Sequence, residues 1–140
     1  MSDREAHVHT AQGKFGQHIS VGPHELCADE PVDLGGDDRG PSPHELLLSA
    51  LGACTSMTVR MYAERKGWPV TAVDVKLTHE KSKRPTADGG PERTVTLLRR
   101  RVHLEGDLTD EQRTRLLEIA NKCPVHKTLT GSIEIPTELA

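Results

Sequence analysis

At 140 residues the chain has the length of one domain, with no room for a second sizeable core. Apolar residues make up 34% and charged residues 28%, and Phe15, Tyr62 and Trp68 are the only aromatic side chains, so a lone copy has a thin core and no ring platform for stacking bases. The formal charge of −3 gives no global attraction to nucleic acid or anionic lipid.

No run approaches the roughly 18 apolar residues of a membrane span, and residues 1–4 are polar, so the chain is expected to be cytoplasmic. Residues 6–34 hold short alternating stretches broken by Gly13, Gly16 and Gly22-Pro23, which predicts small strands in a hairpin. A loop dense in turn formers then feeds a helix at 43–66. Ser42 is its expected N-cap, Pro43 its first residue, and Gly67-Trp68-Pro69 its stop. Leu46, Leu47, Leu51, Met57, Val59 and Met61 surround the axis of this helix rather than forming one stripe. Such a helix needs cover on most sides, and the rest of the chain has few large apolar groups to supply it. A homodimer is therefore expected.

The alternation of Val73, Val75 and Leu77, repeated after residue 93, predicts a long hairpin over 70–105 with an exposed tip and a bulge near Leu97-Leu98. Residues 109–130 read as a second helical region. Thr109 and Gln112 form a capping box, Leu116 and Ile119 point inward, and a short final helix has Cys123 as N-cap and Pro124 as first residue. Residues 132–137 read as a C-terminal strand.

The three cysteines, Cys27, Cys54 and Cys123, are an odd number at wide spacing, as in a chain whose thiols stay reduced. Cys54 falls in the middle of the long helix and Cys123 at the start of another, where a thiol pKa is lowered. Taken singly, each could equally be a small core hydrophobe. The surrounding blocks change that weighing: Gly40-Pro-Ser-Pro-His-Glu-Leu-Leu-Leu-Ser-Ala-Leu-Gly-Ala-Cys54, and later Cys123-Pro-Val-His-Lys-Thr-Leu129. From about Gly35 to the end the sequence resembles the OsmC/Ohr family of osmotically inducible and organic-hydroperoxide-resistance proteins.

That resemblance implies an α+β fold: an OsmC-like intertwined homodimer with two buried central helices packed against antiparallel sheets. It also implies a thiol peroxidase. Cys54 would attack a hydroperoxide and become a sulfenic acid, Cys123 would resolve it as a disulfide, and a dithiol reductant, a lipoylated protein in the peroxide-resistance branch, would reopen the bond. No metal or organic cofactor is implied.

The supporting groups depart from the family pattern. The acid that follows the loop proline is replaced by His44, with Glu45 one residue later. These residues precede Cys54 by about 15 and 13.5 Å of helix rise, so neither touches its thiol within one straight helix, and support would have to come from the partner subunit. The family's arginine lies in the amino-terminal hairpin, where this chain offers only Lys14. Arg39, in the loop before the helix, is the better substitute, and a solvated loop arginine is its alternative. These departures mark a divergent branch of the family.

Other signals carry less. Cys123-x-x-His126 is half of a zinc site without a second pair, so no metal is expected. Arg99-Arg100-Arg101 with Lys81, Lys83 and Arg84 reads as a solvated strand face rather than a nucleic-acid patch. Cys27 reads as a bystander. Two readings remain: a cysteine-based peroxidase, and a non-catalytic or ligand-binding dimer with weakly reactive thiols. A thiol hydrolase lacks a Cys-His-carboxylate order.

Overall fold

A computed structural model describes residues 4–140, so of the polar start at residues 1–4 only Arg4 lies within the described residues. The fold is mixed α+β, in two compact units that meet in sequence at Leu47 and Leu48.

The first unit is an antiparallel meander of β1 (Ala6–Thr10), β2 (Gln17–Val21) and β3 (His24–Ala28). It has one strand more than a hairpin. Gly22, at φ +58°, and Pro23 make the two-residue turn between β2 and β3, a backbone position that suits glycine. After β3 the chain turns on Asp29, which is 2% exposed and accepts the Glu30 N–H at 2.8 Å and the Arg39 N–H at 3.3 Å. The Glu30 bond in particular holds this carboxyl below its ordinary pKa. The loop is thereby fixed just before the next element.

That element is α1 (Pro43–Lys66), which begins in the first unit and continues into the second. Its start is a capping box: the Ser42 N–H donates to Glu45 Oε1 at 2.8 Å, and the Glu45 N–H donates to Ser42 Oγ at 3.4 Å. The second unit adds β4 (Val70–Arg84), β5 (Arg93–Gly106), α2 (Asp110–Ala120) and α3 (Pro124–Thr130). Strands β4 and β5 form a two-stranded antiparallel sheet, and its one irregularity lies between Val70 and Ala72. The bulge expected at Leu97-Leu98 is absent, because Glu80 and His79 pair with these residues in unbroken register and the two leucines point to opposite faces.

Val59 and Ala63 of α1, Leu104 of β5, and Leu116 and Ala120 of α2 make the core, with Tyr62, Trp68, Val73 and Val102 packed around them. Gly52 brings α1 close to β4, since a Cβ there would stand 2.7 Å from Leu77 Cδ1. The chain buries only one stripe of α1: Leu51, Gly52, Thr55, Val59 and Ala63. Met57 and Met61 stay 64% and 60% exposed. By length and composition α1 could also cross a bilayer, with a mean hydropathy of 1.2 over its best window.

Thr109 caps α2 by accepting the Gln112 N–H, and Cys123 caps α3 through its sulfur. Residues 132–137 form no strand, which corrects the expectation there. No strand among the described residues pairs with them, Pro136 has no N–H to offer, and Ile135 is 82% exposed.

Candidate functional site

The second unit brings together the two thiols that lie 69 residues apart in sequence. Helix α1 carries Cys54 beside its buried stripe, and α3 begins where Cys123 caps it. Both thiols are free, and the Cys54 thiol lies near enough to Cys123 to help lower its pKa. The first turn of α3 serves both sulfurs: the Val125 N–H donates to Cys54 Sγ at 3.5 Å, and the His126 N–H donates to Cys123 Sγ at 3.3 Å. Their exposure differs. Cys123 is 0% exposed, whereas Cys54 is partly open.

The cation at this pair is Arg100. Its Nη1 donates to Thr55 Oγ1 at 2.8 Å and to the Ala120 carbonyl at 3.1 Å, and lies 3.9 Å from Cys123 Sγ. Its Nη2 donates to Asn121 Oδ1 at 3.0 Å and contacts His126 Nδ1 at 2.8 Å. A guanidinium has no lone pair to give, so Nδ1 is the acceptor and His126 carries its proton on Nε2.

Burial is the largest influence on the Cys123 thiol and pushes its pKa up. The His126 N–H, the Cys54 thiol, the Thr55 hydroxyl and the Arg100 charge together outweigh it and hold the thiol below its ordinary value. The Thr55 hydroxyl gives its proton to the Leu51 carbonyl at 2.7 Å, and its oxygen stands 3.9 Å from the sulfur, as far as Arg100 Nη1 does.

Burial, and then the Arg100 charge, depress the pKa of His126, so it stays neutral where an ordinary histidine begins to charge. With the folded value below the unfolded one, stability should be full above the ordinary histidine pKa of about 6.5 and should fall as pH drops through that value toward the folded one. Thermal melts across this window should show that slope in the parent and a shallower one in His126→Gln.

Sequence reasoning missed Arg100 by treating Arg99-Arg100-Arg101 as one solvated face. Strand alternation separates them. Leu98, Arg100, Val102 and Leu104 share the more buried face of β5, while Arg99 and Arg101 are exposed, Arg99 in an ion pair with Glu80 at 2.6 Å. The supporting residues expected from the sequence, Arg39, Lys14, His44 and Glu45, lie in the first unit. Arg39 is exposed and donates to Gln12 Oε1, beside a cavity of about 200 Å³ that Cys27 also lines. Lys14 sits over the Phe15 ring at 5.1 Å. His44 is exposed in the first turn of α1, and Glu45 spends its carboxylate on the cap, where the Ser42 N–H lowers its pKa. A second cavity of about 200 Å³ is lined by Leu51, Leu98 and Leu129 together with Arg100 and His126, the two residues that donate toward Cys123 Sγ. Among the described residues no three His, Cys, Asp or Glu side chains gather as a metal site.

The sequence matches the OsmC-like protein family over residues 35–138, a span that includes both thiols and the strand bearing Arg100. The chain belongs to the OsmC-like family. Its fold is similar to a Psychrobacter arcticus protein ascribed to osmotic stress induction and detoxification, at TM-score 0.70 and 22% identity over 91% of this chain and 88% of that one. The organic hydroperoxide resistance protein OsmC of Legionella pneumophila aligns at TM-score 0.64 and 22% identity, over 94% and 91%. A Vibrio cholerae protein ascribed to organic hydroperoxide resistance, with captopril bound in one of its active sites, aligns at 0.67 and 22%, over 96% and 90%. No curated protein matches the sequence. At these identities the likeness establishes the fold of this OsmC-like chain, and its chemistry has to be argued from its own residues.

Proposed function

We propose that the chain is a cysteine-based peroxidase that reduces organic hydroperoxides. The observation that carries this reading is the placement of Cys54 and Cys123 at the same first turn of α3, one thiol partly open and the other buried, in a family that includes hydroperoxide resistance proteins. The Cys54 sulfur attacks the terminal oxygen of ROOH. The O–O bond breaks, ROH leaves, and Cys54 becomes a sulfenic acid. The Cys123 sulfur then displaces the hydroxyl as water and forms the Cys54–Cys123 disulfide. The two thiols give up two electrons, and the peroxide accepts them. A dithiol reductant, for which a lipoylated protein is the candidate, restores the thiols by exchange. The apolar wall of Leu51, Leu98 and Leu129 suits the organic group of the peroxide.

A homodimer belongs to the same proposal. The uncovered face of α1, with Met57 and Met61, and the exposed Ile133 and Ile135 are apolar surface that a second copy would cover. Arg39, His44 and Glu45 are proposed supports for Cys54 across that dimer. Light scattering should give twice the 15.3 kDa chain mass. In the activity test, reduced protein is mixed with excess cumene hydroperoxide and its thiols are counted. The peroxidase reading expects two thiols lost per chain and recovery with a dithiol, whereas an unchanged count favours a binding dimer with unreactive thiols.

A further inference from the structure

The acceptors that hold Arg100 are all uncharged: the Thr55 hydroxyl, the Ala120 carbonyl, the Asn121 amide and a neutral His126. Among its contacts, only the Cys123 sulfur can take up negative charge. That sulfur also has the His126 N–H, and it is closed to solvent, so charge placed on it is stabilised where no peroxide can reach it. Cys54 is the accessible sulfur and has the Val125 N–H ready to receive charge in turn.

We propose that Cys123 is the base that activates Cys54: the reduced pair shares one proton, Cys54 hydrogen-bonds a Cys123 thiolate, and Arg100 is the positioning residue that keeps the charge there. The proposal rests on the peroxidase reading for its chemical outcome. The groups facing the pair are Arg100 from β5, His126 from α3 and Thr55 from α1. The lowered pKa of Cys123 agrees with this arrangement.

The steps balance. Cys54 passes its proton to the Cys123 thiolate and becomes the nucleophile. As the O–O bond breaks, the alkoxide leaving group picks up a solvent proton and departs as ROH. The Cys123 thiol then attacks the sulfenic sulfur, and its proton leaves with the departing hydroxyl as water. One sulfur thus serves first as base and then as resolving nucleophile.

The test uses the Cys27→Ser background, so that only the pair titrates. Ultraviolet thiolate absorbance should show one thiolate per chain forming below the ordinary value of about 8.5, and the second only above it. Cys54 alkylation by iodoacetamide should begin with this first thiolate step in the parent, through the shared proton, and Cys123→Ser should remove that early phase. Arg100→Gln should move the first thiolate step to higher pH, with Arg100→Lys closer to the parent. Two thiolates appearing together near the ordinary value, or a Cys54 alkylation profile indifferent to Cys123→Ser, would overturn the proposal. If Arg100→Gln does not fold, the cysteine variants still decide. None of these readouts needs peroxide, so a parent that shows the split titration yet consumes no hydroperoxide would defeat the peroxidase reading and leave the shared proton standing.

Discussion

Replacing Cys54 by serine is expected to lower hydroperoxide consumption by roughly 10³-fold or more, because the hydroxyl is too weak a nucleophile for the O–O bond and nothing else at the site can substitute. Cys123 cannot, since it has no exposed surface. Cys123→Ser should behave differently. Its first oxidation should slow by about tenfold with the loss of the base, and the product should remain a sulfenic acid that dimedone traps instead of closing to a disulfide. Stopped-flow peroxide consumption with mass analysis of the trapped protein checks both variants. Equal residual rates in the two would contradict the division of roles.

Leu116→Ala should cost about 3–5 kcal/mol of stability. Leu116 is 0% exposed and sits in the core with Val59, Ala63, Leu104 and Ala120, so its removal leaves a cavity between α1, α2 and β5. In a chain with so few large apolar residues the neighbours have little means of refilling it. The whole margin of a domain is about 5–15 kcal/mol, so urea unfolding should show a large downward shift in midpoint with a similar slope. A loss under about 1 kcal/mol would mean that this cluster is not the core of the second unit.

Helix boundaries were legible because they rest on local signals: Ser42 with Glu45, Thr109 with Gln112, Cys123 before Pro124, and Gly67 as a stop are each written in adjacent residues. The two cysteine blocks were legible as a resemblance, and the structure adds that both sulfurs meet the first turn of α3. Arg100 was hidden by its neighbours. A run of three arginines looks solvated, and only the strand phase set by Leu98, Val102 and Leu104 turns the middle one toward the thiols. The bulge was misread because two adjacent leucines can take opposite faces of a twisted strand without breaking register. Residues 132–137 have strand-like alternation, but a strand needs a partner ladder, and that cannot be read from its own residues.

The central claim is that Cys54 and Cys123 of one chain act as a single redox pair, and peptide mapping after one equivalent of organic hydroperoxide tests it most directly. The account predicts a Cys54–Cys123 disulfide within one chain, with Cys27 still free and the bond lost on treatment with a dithiol. Oxidation confined to Cys27, or a peroxide-treated protein with both Cys54 and Cys123 still alkylatable, would contradict it.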